Sequence, residues 1–241
     1  MAPLLRLEHV SKSFGALKVI DDVSLSLEAG EALGIIGPNG AGKTTLFNLV
    51  SGDLRVDRGV IRFAERDVTA LPAHVRCRLG IARSYQIPHP FANMTVFENL
   101  LAGAAFGAGR REAECYDRCV DLLSRTHLTR KANQPAGSLT LLERKRLEMA
   151  RALATDPRIL LLDEIAGGLT DSECQELIDT IRGVHESGVS IVWIEHIVHA
   201  LIAVVSRLVV IDFGHMLAEG APRAVMDNPA VQQVYMGIEA E

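Results

Sequence analysis

Apolar and polar positions alternate over the first part of the chain. "LLRLEHV" (residues 4–10) and "VIDDVSLSL" (19–27) change character every second residue, the period of strands that bury one face. "EALGIIG" (31–37) is apolar almost throughout and runs straight into a glycine-rich turn, which predicts a short buried strand. A helix from about Lys43 to Val50 follows, then a short strand "GVIRF" (59–63), expected as the third of an N-terminal antiparallel sheet.

After Tyr85 the period lengthens. From Thr95 to Ala154 the chain reads mostly as helix, broken at "GAGR" and "NQPAGS". "TVFENLLAGAAF" opens with Thr95 three residues before Glu98. "GSLTLLERKRLEMARALATDP" (137–157) places Thr140 three residues before Glu143. Both are capping-box spacings for a helix start. In the second helix Leu142, Met149, Ala150 and Leu153 fall at helical spacing, with Arg144, Lys145, Arg146 and Glu148 between them. From Arg158 onward strands and helices alternate: "RILLLDE", a helix after Asp171, "VSIVWIEH", a helix through Val205, and "RLVVIDFGHMLAEG" turning at Phe213-Gly214. This order implies a parallel sheet covered on both faces, an α/β core interrupted by a helical insertion.

Composition adds limits. At 241 residues and 48% hydrophobic, the chain can bury a sizeable core. A net charge of −5 supplies no electrostatic reason to expect nucleic acid. Cys77, Cys115, Cys119 and Cys174 form no CxxC pair and read as buried or idle thiols. Charge at Arg6 and Glu8 precedes any apolar stretch, so no signal peptide is expected. The most apolar region, residues 197–211, is interrupted by His199, Ser206 and Arg207 and is too short to span a bilayer. The expectation is a soluble, cytosolic protein able to dock on a membrane-bound partner.

The chemistry begins at "GPNGAGKT" (37–44), a G-x-x-x-x-G-K-T loop between a predicted strand and a predicted helix. Glycines let backbone N–H groups turn inward around phosphate oxygens, and the helix N-terminus adds partial positive charge. Lys43 is expected to reach the β- and γ-phosphates, and the Thr44 hydroxyl to ligate Mg²⁺. "ILLLDE" (159–164) is an apolar strand ending in two carboxylates. Asp163 is placed to hold a magnesium shell, and Glu164 to orient and deprotonate a water. Gln86 ends "GIARSYQ" where the core gives way to the insertion, and His196 ends "VSIVWIEH". A lone histidine there is more often structural. His199 lacks a third ligand at suitable spacing, which argues against zinc.

A phosphate loop, a junction glutamine, a strand ending in Asp-Glu and a later strand ending in histidine resemble, in this order, the nucleotide-binding subunit of ABC transporters. The match covers nearly the whole chain. It implies a phosphate-loop NTPase (RecA-like) core with an N-terminal antiparallel β subdomain and an inserted helical subdomain: one domain over 1–241, with core at 1–86 and 156–241 and helical part at 87–155. ATP and Mg²⁺ are implied. Phe14 takes the place of the aromatic that stacks on adenine, and Gly37, Pro38, Asn39, Gly40, Ala41, Gly42, Lys43, Thr44 and Thr45 form the phosphate loop. Gln86 matches the loop glutamine that senses magnesium and the membrane subunits. Glu164 matches the catalytic base, and His196 the histidine that contacts the γ-phosphate. "AGGLTDSE", from Ala166, matches the loop that crosses the dimer interface. Finer features, "VSKSFGALKVIDDVSL", "FANMTVFENLLAG", "RLEMARALATDP", "WIEHIVHAL" and the tail "NPAVQQVYMG", look like the branched-chain amino-acid importer branch.

In this family two ATPase subunits close head to tail, each ATP lying between one phosphate loop and the other subunit's Leu-Ser-Gly-Gly-Gln segment. Leu139, Thr140, Leu141, Leu142 and Glu143 hold those places here. Thr140 can replace the serine hydroxyl, but both glycines are absent, Glu143 replaces glutamine, Ile165 the usual proline and Thr170 the usual Asp or Asn. Two leucines add bulk, and a carboxylate offsets the positive helix end that an anion would otherwise find. The implied partners are a second ATPase subunit, expected as a heterodimer with unequal sites and with a homodimer as the alternative, two transmembrane permeases on the inner face of the membrane, and indirectly a solute-binding protein. A nucleotide-gated module that binds ATP but barely hydrolyses it is the competing expectation. A translation or repair ATPase would carry two cassettes or a long coiled-coil insertion, and a nucleotide kinase would need an acceptor lid.

Overall fold

A computed structural model describes residues 2–236. In chain order the elements are β1 (Leu5–Phe14), β2 (Leu17–Leu27), β3 (Ala32–Ile36), α1 (Lys43–Ser51), β4 (Arg58–Phe63), β5 (Arg66–Asp67), α2 (Ala73–Leu79), β6 (Ile81–Ser84) and α3 (Val96–Ala102). They continue with α4 (Tyr116–Arg125), α5 (Leu141–Ala154), β7 (Ile159–Asp163), α6 (Asp171–Glu186), β8 (Ser190–Ile194), α7 (Val198–Ile202), β9 (Arg207–Asp212), β10 (His215–Gly220), α8 (Pro222–Met226) and α9 (Pro229–Met236). The chain forms two compact units, residues 1–73 with 192–241, and residues 74–191.

In the first unit the alternating strands form an antiparallel sheet of order β2-β1-β4-β5. Leu5, Leu7 and Val10 of β1 turn inward while Arg6 is exposed, so one face is buried as the alternation requires. Register slips in β1 accompany left-handed residues His9 and, opposite in β2, Asp22, the mark of bulges. A parallel pair, β3 with β9, lies beside an antiparallel one, β9 with β10. Every residue of β3 is buried, which accounts for its lack of alternation. Phe213 and Gly214, both left-handed, turn β9 into β10, the two-residue hairpin read in the sequence. Arg207 clasps this region, its guanidinium donating to Glu31, to Glu219 and to the Ser26 carbonyl.

In the second unit β6 and β7 pair in parallel, with Ile81 opposite Ile159 and Ser84 opposite Leu162. Helix α5 packs against both strands and against α3, α4 and α6. The stretch between β6 and β7 is largely helical, although the chain after Ala102 widens into a π-helical turn at Gly103–Gly107 rather than continuing α-helical to Phe106. Three helices start with a closed capping box: Thr95 with Glu98, Thr140 with Glu143, and Thr170 with Glu173. The third has the same Thr-x-x-Glu spacing as the two predicted. Cys115, Cys119 and Cys174 are buried, and all four thiols are free. No helix among the described residues is long and apolar enough to cross a membrane.

Several boundaries moved. β6 stops at Ser84 and β8 at Ile194, so Gln86 and His196 stand two residues past their strands, in bends, where a side chain is no longer committed to a sheet face. α7 ends at Ile202 instead of running through Val205. β5, α2 and α8 were not anticipated. The quoted tail "NPAVQQVYMG" forms α9 as far as Met236, and its Gly237 lies outside the described residues.

Candidate functional site

The first unit holds Phe14, the phosphate loop and His196; the second holds Gln86, Asp163, Glu164 and Thr140. The loop follows β3 without a spacer. Gly37 has φ 157°, and a Cβ there would stand 2.1 Å from the Ile211 carbonyl oxygen, so only glycine fits against β9. Gly42, left-handed at φ 101°, is the N-cap of α1 and presses on the Val19 carbonyl, which a Cβ would meet at 2.6 Å. The Gly214 N–H donates to the Ala41 carbonyl, tying the loop to the β9–β10 hairpin. Backbone geometry thus fixes the loop from two sides.

Lys43 opens α1 and is buried, its ammonium donating to the carbonyls of Gly37 at 2.7 Å and Pro38 at 3.0 Å. The lysine bridges the loop from inside. Asn39, Gly40 and Thr44 are exposed, Pro38 and Thr45 half-buried, and Ala41 buried. No side chain caps α1 and no acid stands in its first turn, so the positive helix end carries no anion of its own. Phe14, half-exposed at the end of β1, lies 5.7 Å from the Lys12 ammonium, which also pairs with Asp57 at 2.7 Å. His196 is exposed, and its backbone N–H donates to the buried Glu195 carboxylate.

In the second unit two contacts organise the acids. The Gln86 amide donates to Glu164 Oε2 at 2.6 Å, joining two residues that the sequence separates by 78 positions. Glu164 takes a left-handed φ of 46°, unusual for a side chain with a Cβ, which turns the carboxylate away from the line of β7. Asp163 is buried and paired with Arg83 at 2.6 Å, both side chains almost fully enclosed. Sequence reasoning missed Arg83; its signal was a charged residue inside the short apolar strand "GIARS". Breaking such a pair would leave a buried charge, so Arg83 and Asp163 form a structural unit.

The segment from Leu139 to Glu143 is closed upon itself. The Thr140 N–H donates to Glu143 Oε2 at 2.9 Å, and the Glu143 N–H returns to the threonine hydroxyl at 3.4 Å. Lys131 pairs with Glu143 Oε1 at 3.2 Å, and Arg144 donates to the carbonyls of Leu139 and Gly137. Burial pushes the Glu143 carboxyl up, but the Thr140 and Lys131 contacts outweigh it and hold the group below the usual carboxylate range. Leu139 and Leu142 are buried and Leu141 is half-exposed.

Thr44 in the first unit carries a hydroxyl oxygen, and Gln86 and Asp163 in the second carry amide and carboxylate oxygens, each a donor type that Mg²⁺ accepts. Among the described residues no group of three His, Cys, Asp or Glu forms a metal cage.

Residues 20–167 match the family model "ABC transporter", and residues 215–241 the model "Branched-chain amino acid ATP-binding cassette transporter". The lipopolysaccharide export system ATP-binding protein LptB of Acidithiobacillus ferridurans is 37% identical, and the high-affinity branched-chain amino acid transport ATP-binding protein BraF of Pseudomonas aeruginosa 36%. In both, 98% of this chain and 98% of the relative are covered. The crystal structure of the ADP conformation of an ATP-binding cassette of an ABC transporter superposes with a TM-score of 0.90 at 30% identity, over 99% of this chain and all of the other.

Proposed function

The chain belongs to the ABC transporter ATP-binding family, and from that premise we propose that it is the ATP-hydrolysing subunit of an importer for branched-chain or other hydrophobic amino acids. The carrying observation is the branched-chain match over residues 215–241, a segment separate from the cassette match over 20–167. In this reading the loop from Gly37 to Thr45 takes the triphosphate of ATP on its backbone N–H groups, and Phe14 stacks on the base. Lys43 exchanges its Gly37 and Pro38 carbonyls for β- and γ-phosphate oxygens. Mg²⁺, when bound, neutralises phosphate charge, with Thr44, Gln86 and Asp163 as its protein neighbours. Asp163, held in place by Arg83, would add carboxylate charge to hold the ion.

Glu164 then accepts a proton from the water that attacks the γ-phosphorus, and the bond to the ADP oxygen breaks. The Gln86 amide orients this carboxylate, and His196 steadies the γ-phosphate. Glu164→Gln should reduce turnover by about 10²–10⁴-fold while MgATP still binds. Full activity in that variant removes the base. The core is assigned to 1–86 and 156–241 and the helical part to 87–155. The partners are a second, different ATPase subunit, two permeases on the cytoplasmic face of the membrane and, through them, a solute-binding protein. Thr140 serves the partner subunit's ATP.

A second reading has its own support, since a relative named for lipopolysaccharide export stands at 37% identity. Reconstitution in proteoliposomes with permeases from the same operon separates the two. Stimulation of hydrolysis by a leucine-loaded binding protein supports the importer, whereas stimulation by lipopolysaccharide overturns it.

A further inference from the structure

α9 brings Tyr235 within reach of the Gly37 peptide. It packs on α8 and β10, and its Tyr235 carries the hydroxyl into the interior of the first unit, where that oxygen is shielded from solvent and closes no hydrogen bond of ordinary geometry. The two groups acting on it are the Gly37 backbone N–H and the Asp212 carboxylate. Together with burial, which is the largest influence, they leave the phenol pushed up to about 12. Gly37 opens the phosphate loop, pinned against the Ile211 carbonyl next to Asp212, with its own carbonyl bound by Lys43. A buried hydroxyl that only approaches a peptide N–H without closing an ordinary hydrogen bond is costly, and one kept beside a peptide that must adjust when the lysine moves calls for a use.

We propose that Tyr235 is a positioning residue of the phosphate loop. Its hydroxyl pairs with the Gly37 peptide when the loop closes on nucleotide phosphate, so the C-terminal helix sets nucleotide affinity. The inference rests on reading Gly37 to Thr45 as the nucleotide loop. It goes beyond that reading by giving α9, which lies outside the cassette match, a role in binding.

Tyr235→Phe removes the hydroxyl and keeps the ring. Titration of the full chain with MgADP and MgATP should show binding about three- to tenfold weaker than wild type, the worth of one hydrogen bond. In the absence of nucleotide the melting temperature should be unchanged or higher, because the orphaned group is gone. Gln233→Ala, an exposed position on the same helix, should change neither quantity. Equal nucleotide affinity in wild type and Tyr235→Phe overturns the proposal. Weaker binding with a lower nucleotide-free melting temperature also overturns it, since the hydroxyl then belongs to the fold. Failure of the wild type to bind either nucleotide overturns the loop reading and this proposal with it.

Discussion

Two helix starts in this molecule treat their positive ends in opposite ways. α1 begins at a left-handed glycine with no side-chain cap and no acid in its first turn, behind a loop whose glycines press on neighbouring carbonyls. α5 begins at Thr140 with a closed capping box, and both oxygens of its own Glu143 are engaged, one by the Thr140 N–H and one by Lys131. The exposed N–H groups and partial positive charge at a helix start attract either a guest anion or a resident one. α1 places no acid of its own there. α5 fills the place from within, as α3 and α6 do with Glu98 and Glu173. The lesson is that a single acid at the third helical position decides whether a helix start is satisfied by its own side chains.

The largest effect is expected at the open end. Lys43→Ala removes the side chain that bridges the loop from inside, and should lower ATP hydrolysis by about 10²–10³-fold. A phosphate-release assay at saturating MgATP checks it. Loss of less than about tenfold would break the contrast, because the loop's charge would then matter little.

Copying the α5 solution onto α1 sharpens it. Thr45 occupies the third helical position of α1, as Glu143 does in α5, so Thr45→Glu supplies a resident anion. A carboxylate near bound phosphate repels it by about 3–4 kcal/mol at a surface-like dielectric of about 20, and MgATP should bind at least about 100-fold more weakly. Isothermal titration with a melting control decides, and unchanged affinity would show that the helix end plays no part.

Much of this contrast was legible beforehand, and the rest was not for physical reasons. The phosphate loop and the boxes at Thr95 and Thr140 are written in local spacing, since a loop and a cap are built from residues within a few positions of each other. Strands β3 and β7 were equally plain from unbroken apolar runs. Arg83 with Asp163 and Gln86 with Glu164 were hidden, because each pair joins residues about eighty positions apart and only the folded second unit brings them together. β5 was missed because its turn uses left-handed Ala64 and Glu65, where a reader expects glycine or asparagine. Gln86 and His196 were placed at strand ends from apolar runs, yet backbone pairing stops earlier than apolarity does.

The reverse substitution tests the closed end, with a smaller effect. Glu143→Gln removes the resident charge and the Lys131 ion pair while keeping an acceptor for the Thr140 N–H. If the segment faces a partner's ATP, hydrolysis by the assembled complex should rise by about two- to fivefold, within the 0.3–1 kcal/mol of a charge at a helix end. Stability should gain a different pH profile. The Glu143 carboxyl sits below its ordinary 4.5 in the folded chain, so its contribution is present above that value and fades as pH falls through the folded one. Wild type should therefore lose more stability than Glu143→Gln between about pH 5 and pH 3. Parallel acid-melting curves would remove Glu143 as a charged cap.

The smallest effects come from the cap threonines themselves. Thr95→Ala, Thr140→Ala and Thr170→Ala each delete the hydroxyl that accepts from the third helical N–H, at 3.1, 3.4 and 3.3 Å. Each should cost about 1 kcal/mol and lower the melting temperature by about 2–4 °C. The Thr140 bond is the longest of the three, so its stability effect should be the least. Thr140 is also the one of the three proposed to meet a partner's phosphate. An activity loss confined to Thr140→Ala would mean that its hydroxyl divides its time between cap and nucleotide. Equal and purely thermal losses in all three would mean that α5, like α3 and α6, starts with nothing more than a good cap.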